Sequence, residues 1–389
     1  MDASTTSPLI QPIATAELLV PLIEAVRSAT EVCLDTEADS LHHYHEKVCL
    51  LQFTLTAPDG GASNFLVDTL AGLDLQPLFT TLKDKPLILH GADYDLRMLK
   101  GDFGFTPCSI FDTMLAARIA GQTGLGLDAL VGRYAGRQLD HGAQKADWSQ
   151  RPLPPRLLSY AVEDTSHLPL ISGKLREELA ALGRTEWHRQ QCAQLIELCS
   201  VVRERNPDEV WRVKGSFNLD GQRLAILREL WTWRDKEASD WDRPPYMVFN
   251  NDKLLELADW AAKNPRGDLN QGPVLPKRWP PRRFRTLHEA LQKARALPES
   301  EWPQPPPRPK RPPFNPHFAP RMTRLRAARD AIAKELKLDA SILAPNAQLE
   351  TIAGLSPGQS ENFKAVERWL PWQSDVLGRA LLAALQNPS

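Results

Sequence analysis

The sequence predicts an α/β domain followed by two small all-helical domains, and three observations lead there. Up to about residue 203, short runs rich in Val, Leu and Phe alternate with segments of helical spacing, as when strands and helices share one sheet. From about residue 212 apolar side chains recur only at helical intervals. Residues 296–320 hold ten prolines in twenty-five, too many for helix or sheet, which makes that stretch a stiff, extended connector. A chain of 389 residues also exceeds the roughly 250 at which one core stops growing. The expected division is 1–203, 204–295, a basic Pro-rich linker at 296–320, and 321–389.

Residues 13–28 read as an amphipathic helix through Ala16, Leu18, Leu19, Leu22, Ile23 and Val26. Val32–Leu34, Val48–Leu55 and Phe65–Val67 then read as a three-stranded meander, punctuated by Pro58-Asp59-Gly60-Gly61. Helical spacing at 73–82 precedes a further strand, Leu87-Ile88-Leu89, and helices at about 95–103, 110–120 and 125–134. Pro155–Leu182 is the longest helical pattern of this half, opened by prolines and closed near Gly183. Beyond it, Leu224, Leu227, Leu230, Trp231, Leu254 and Leu257 mark a helical domain, and Leu325, Ala328, Ile332, Leu336, Leu349 and Ile352 mark another.

No run approaches the ~18 apolar residues of a membrane span, and the opening MDASTTSPLIQPIATAELL lacks the basic cluster of a leader. A cytoplasmic protein without membrane association is expected. Cys33, Cys49, Cys108, Cys192 and Cys199 form no CxxC pair, which argues against a zinc ribbon or disulfide framework and for reduced, mostly buried thiols. The net charge of −1 hides a polarity: residues 1–200 carry 16 Lys+Arg against 25 Asp+Glu, and 201–389 carry 31 against 23. That is −9 followed by +8. Chance variation between domains is one reading; the other is an acidic metal site beside a polyanion-binding surface.

Three constellations carry chemistry. In Leu34-Asp35-Thr36-Glu37, at the end of the first strand, the two acids share a face because strand side chains alternate with a period of two. Converging carboxylates repel and call for a hard cation, although a strand-end turn would have the same letters. His90-Gly91-Ala92-Asp93-Tyr94-Asp95 follows Leu87–Leu89, where a sheet delivers residues to a ligand; Asp93 reads as a helix N-cap and Asp95 as the ligand. Tyr160 and Asp164 lie four apart on one helical face, as a surface pair would too.

Together the three match the exonuclease motifs of the ribonuclease D family and its relatives in the eukaryotic exosome. The match runs through the connecting text, DTEADSLHHYHEKVCLLQ, LHGADYDLRMLKGDFG, FDTMLAARIAG and ADWSQRPLPPRLLSYAVEDTSHL, and so covers about residues 30–175. Asp147-Trp148-x-x-Arg151-Pro152-Leu153 is especially characteristic. Sister exonucleases place a His five before the last Asp, where this chain has Ser159; the Tyr subclass places Tyr four before it, as Tyr160 is here.

The resemblance implies a ribonuclease H-like exonuclease domain, a mixed sheet flanked by helices, that hydrolyses RNA from the 3′ end to nucleoside 5′-monophosphates, in tRNA 3′ maturation or stable RNA processing. Asp35 would bridge two Mg²⁺ or Mn²⁺ ions. Glu37 and Asp164 would complete one site and Asp95 would help hold the second, an arrangement that clamps both oxygens of an in-line displacement. Tyr160 would orient the attacking water and receive or relay its proton, since a free phenol with pKa about 10 is a poor base unaided. Substrate would be single-stranded 3′ ends of structured RNA, with His90, Arg151, Arg282 and Arg283 as contacts. A single-stranded DNA exonuclease, or a non-catalytic RNA-binding scaffold, is the alternative; the scaffold would be expected to have lost a carboxylate, and all four are present.

Residues 216–262 resemble an HRDC domain through Leu227–Arg234, Pro244–Val248 and Leu254–Ala258, departing from it at 264–285, where Pro and Arg replace a short helix. Residues 321–385 look like a more degenerate second copy. Between them, 274–329 carries 14 Lys+Arg against 3 Glu, interleaved with Trp279, Phe284, Trp302, Phe314 and Phe318. Such a segment could neutralise backbone phosphates and stack bases, or be a solvated linker with aromatics anchored on neighbouring domains. His42, His43, His45 and His90 fit no structural zinc spacing, and the absence of GxxxxGK[ST] excludes a nucleotide-driven motor within this chain.

Overall fold

The computed structural model describes residues 10–139, 142–201, 206–305, 315–355, 366 and 368–386. The chain forms two compact units: Met1–Ala38, Val48–Val202 and Pro312–Ser389 make one, and Asp39–Lys47 with Arg203–Arg311 make the other.

The first unit holds a five-stranded sheet of order β3-β2-β1-β4-β5. β1 (Glu31–Ala38), β2 (Val48–Thr56) and β3 (Ala62–Asp68) form the expected antiparallel meander. β4 (Leu87–Leu89) and β5 (Ile110–Asp112) add in parallel beyond β1. Both faces are covered, so eight of the nine β2 residues are buried, on both sides of the strand rather than on alternate positions only. Val32, Leu34, Leu51, Phe53, Leu55 and Val67 pack with α1 (Ala16–Ser28), α2 (Gln76–Leu82), α3 (Asp93–Phe103) and α8 (Thr185–Ser200). On the other face Cys33, Ile88 and Leu168 meet, and Leu50 and Leu66 pack under Trp148, Leu157, Leu158 and Ala161.

Three local expectations change. The first helix begins at Ala16; Ile13 instead bridges to Val67 at the sheet edge. The stretch expected as one helix at 110–120 is β5 followed by α4 (Thr113–Ala120). Asp112 sets that boundary, because its Oδ1 accepts the free amides of Met114 and Leu115 at 2.8 and 3.0 Å and so starts the helix after the strand. Residues 155–182 split into α6 (Pro155–Ser166) and α7 (Leu168–Ala181) at His167. Pro169 has no N–H to give to Thr165, so a continuous helix would lose a bond there.

The C-terminal helices α13 (Phe318–Leu336), α14 (Ala340–Leu343), α15 (Asn346–Gly354) and α16 (Pro371–Gln386) share a core with the α/β layer. Leu325, Leu343, Trp372 and Leu377 cluster with Leu130 and Val131 of α5 (Leu127–Ala135) and with Ile171 and Leu175. Gly121, at φ +88°, admits this packing: a Cβ there would stand 2.7 Å from the Lys337 carbonyl oxygen. Position 320 thus divides the chain in sequence more than in packing.

Among its described residues the second unit holds helices, turns and irregular segments but no strand. α9 (Gly221–Trp241), α10 (Pro245–Val248), α11 (Asn251–Lys263) and α12 (Pro281–Ala296) enclose Leu227, Leu230, Trp233, Leu257, Leu287 and Leu291. Only a short turn, Leu269–Gln271, fills the irregular stretch after α11, yet α12 closes the core behind it. The segment Asp39–Lys47 belongs here: His43 Nδ1 lies 2.7 Å from Asp242 Oδ2, and the Tyr44 hydroxyl donates to Asp235 at 2.8 Å. Of the Pro-rich stretch, 306–314 lies outside the described residues, and the part before it is non-helical apart from one turn at Glu299–Glu301.

Candidate active site

The site is assembled where β1, the turn after β4, and α6 come together. Residues of odd number in β1 face α6 and α7: Glu31 meets Arg176 at 2.7 Å, Cys33 packs on Leu168, and Asp35 and Glu37 face Asp164. Carboxylate oxygens of Asp35, Glu37 and Asp164 lie within 4.8 Å of one another. Tyr160 sits one turn before Asp164 and is hydrogen-bonded to it. Asp95 arrives on the first turn of α3, where its Oδ1 accepts from the Thr36 amide at 3.1 Å and the Thr36 hydroxyl at 2.6 Å. Thr36 thus ties the fourth acid to the strand between the other two.

These groups line a pocket of about 370 Å³ that also touches His90, Met114, Asp128 and Gln144. Burial and then the neighbouring charges of Asp95, Asp164 and Glu37 hold the Asp35 carboxyl well above its usual range. Burial, with Asp164 and Asp95 beside it, pushes Glu37 to about 9. Asp164 rises to about 7, mainly by burial and despite the Tyr160 hydrogen bond. Asp95 rises only to about 6, because burial is opposed by the bonds from Thr36. The Tyr160 phenol is driven up by burial and by Asp164, Glu37 and Asp35, so it stays protonated at neutral pH.

Four acids brought this close are stable as anions only beside a cation. An all-carboxylate oxygen set is the donor chemistry of hard divalent ions, so the residues fit such a metal. Imidazole takes no part in the cluster among the described residues. His90 donates or accepts at Thr113 Oγ1, 2.9 Å away, and burial keeps it neutral by lowering its pKa. His42, His43 and His45 lie on the second unit's Asp39–Lys47 segment.

The turn carrying Asp95 is pinned by a residue that sequence reading passed over. Asp112, 1% exposed, accepts the amides of Gly91 and Ala92 at 3.1 and 2.9 Å as well as those that start α4. Its signal was the strand-to-helix junction Phe111-Asp112-Thr113, hidden while that stretch read as helix. Gly91 suits this turn because its φ is +70°, a conformation that L side chains rarely adopt.

Other expectations fall differently. Asp93 is not an N-cap: Ala92 occupies that position, and the Asp93 carboxylate turns outward to Arg97 at 2.8 Å. This separates it from the buried Asp95 on geometry. Arg151 lies outside the pocket lining; its guanidinium forks onto Asp68 at 2.6 and 2.7 Å and onto the Cys49 carbonyl at 2.8 Å. It therefore anchors the segment leading into α6 to the sheet. Arg283 is buried beside Glu237 and lies over the Trp241 ring, and Arg282 pairs with the same Glu237 at 3.2 Å. The Arg283 guanidinium serves the second unit's own packing, whereas the Arg282 side chain remains 53% exposed. Trp279 is buried in that unit's core, and the partly buried Phe284 packs against it.

The mixed sheet and its tyrosine-flanked acidic pocket define a 3′–5′ exonuclease domain, and a family model of that description matches residues 10–180. HRDC domain models match 223–267 and 319–385. Ribonuclease D of Jannaschia sp. is 30% identical over 93% of this chain and 92% of its own. The chain belongs to the ribonuclease D family. Among solved structures, Escherichia coli RNase D, described as an exoribonuclease involved in structured RNA processing, superposes with TM-score 0.68 and 26% identity over 97% of this chain and 98% of that one. Some relatives extend further: the chain spans 63% of ribonuclease D from Gluconacetobacter diazotrophicus (32% identity, 64% of this chain) and 33% of exosome complex component 10 from Mus musculus (31%, 74%).

Proposed function

We propose that this protein is a cytoplasmic 3′→5′ exoribonuclease that releases nucleoside 5′-monophosphates from single-stranded 3′ ends of structured RNA, tRNA precursors among them. The observation that carries the reading is the trio Asp35, Glu37 and Asp164 with oxygens within 4.8 Å in one pocket, completed by Asp95 and Tyr160. The domain order exonuclease, HRDC, Pro-rich linker, second HRDC-like segment supports it.

Asp35, Glu37 and Asp164, with Asp95 beside them, would hold two divalent ions, Mg²⁺ or Mn²⁺. Such ions, when bound, supply positive charge on both sides of the scissile phosphate. Water attacks phosphorus, the bond from phosphorus to the 3′ oxygen of the penultimate nucleotide breaks, and the proton lost by water ends on that oxygen or in solvent. Tyr160, kept as a neutral phenol by its surroundings, holds the water in line by hydrogen bonding rather than acting as the base. Asp95, fixed through both Thr36 donors, keeps its carboxylate in place without help from substrate. Of the four substrate contacts expected, His90 has the support of lining the pocket. The 2′-hydroxyl is the group on which a preference for RNA over DNA would rest.

The test is incubation of the full chain with 5′-labelled RNA and DNA oligomers of one sequence, in Mg²⁺, Mn²⁺ or EDTA. A ladder receding from the 3′ end of RNA, lost in EDTA, is the expected outcome. Metal-independent cleavage, internal cuts, or faster loss of DNA would each reject part of the proposal.

A further inference from the structure

Gln52 interrupts the apolar run of β2, and it is wholly buried. Among the described residues, neither its side-chain oxygen nor its nitrogen has a hydrogen-bond partner. Its neighbour two residues along the same face, Thr54, is satisfied by Asn64 at 2.7 Å and Thr165 at 2.8 Å. A buried amide left without partners is expensive, and Leu or Met would fill the same space at no such cost. What singles out this position is its register: Gln52 lies directly opposite Asp35 in the β1–β2 ladder. Directly paired residues share a face with Cβ atoms about 5 Å apart, within reach of a glutamine side chain.

We propose that Gln52 is a positioning residue for Asp35, its amide N–H donating to the carboxylate once that group is ionised around a divalent cation. An ionised carboxylate only accepts hydrogen bonds, so a neutral donor stabilises it without adding a charge that would compete with the metal. Ligands in metal sites are commonly oriented by a second hydrogen-bonded group in this way. This inference rests on the metal-centre reading of Asp35, Glu37 and Asp164.

The test uses the full chain, with Mn²⁺ alone as the calorimetric probe and a 3′-extended RNA oligomer for kinetics. Gln52→Met keeps volume and chain length while removing the amide. It should melt, without metal, no lower than the wild type, yet bind Mn²⁺ at least about tenfold more weakly, with kcat reduced and KM within about twofold. Thr54→Val is the control for strand packing: it should melt lower and keep wild-type Mn²⁺ affinity. Wild-type affinity and kcat in Gln52→Met would overturn the positioning role alone, provided Asp35→Asn abolishes binding. Metal-free destabilisation of Gln52→Met matching that of Thr54→Val would likewise overturn it, assigning Gln52 to packing. Absence of Mn²⁺ binding by the wild-type protein would overturn this inference and the metal-centre reading together.

Discussion

Replacing Asp164 by Asn should make the metal-free protein more stable while destroying its activity. In the fold the Asp164 carboxyl is raised from 3.8 to about 7, so at pH 8 it is ionised at a cost on the order of 4 kcal/mol relative to the unfolded chain. Part of that is screened by solvent entering the pocket, and Asn gives up the charged acceptor of the Tyr160 bond; a net gain of about 1–2 kcal/mol should survive. At roughly 2–4 °C per kcal/mol, the melting temperature rises by several degrees. The sign depends on pH. Because the folded pKa is the higher one, the native state holds the extra proton between about 4 and 7, and wild-type stability is full below that window and falls as pH rises through it. Asp164→Asn should therefore equal the wild type or fall below it at pH 4 and exceed it at pH 8. Excess Mn²⁺ should reverse the order at pH 8, since a ligand at about 100 times its Kd adds about 2.7 kcal/mol to the protein that binds it. Differential scanning fluorimetry at the two pH values, with Mn²⁺ or EDTA, reads all of this. A mutant less stable than wild type at pH 8 in EDTA, or one that gains as much from Mn²⁺, would refute the reasoning.

Two further outcomes follow from the same geometry. Tyr160→Phe should lower kcat by about 10²-fold or more with KM little changed, since the phenol orients water but does not hold the RNA; single-turnover hydrolysis beside a binding measurement checks it, and wild-type turnover would remove Tyr160 from the chemistry. Asp112→Ala should destabilise by about 3 kcal/mol or more, because four backbone amides lose their acceptor; chemical denaturation measures this, and a loss under about 1 kcal/mol would show that those amides find other partners.

Much of this was readable in the sequence because period and chemistry agreed. The meander, the β4 run and the helices after it obey simple spacing rules, and Asp35, Glu37 and Asp164 stand at the positions that the rules send to one side of a strand and one face of a helix. What escaped is tertiary. Phe111 reads equally as strand or helix until β4 offers Leu87–Leu89 as a partner. Arg151 and Arg283 look like phosphate ligands until Asp68 and Glu237 take them up; a guanidinium has the same letter whether it faces RNA or an internal carboxylate. Gln52 sits within the Val48–Leu55 run with no local sign that Asp35 stands across from it.

The shared core of α5 and α7 with α13 and α16 changes how the basic half must be examined. Removing 206–389 would appear the direct way to ask whether it binds RNA, yet that cut strips Leu325, Trp372 and Leu377 from Leu130 and Ile171, and side chains of this kind are worth about 2–5 kcal/mol each when lost from a core. Lost RNA affinity in such a truncation would report unfolding as readily as lost contacts. Charge reversal at exposed cations leaves the core alone. Lys277 and Arg278, exposed before α12, and Arg285, whose side chain is 70% exposed, are suitable; Arg283 is not, being locked to Glu237. A contribution of these cations to RNA binding would then show as a shallower dependence of log affinity on log salt, at an unchanged melting temperature.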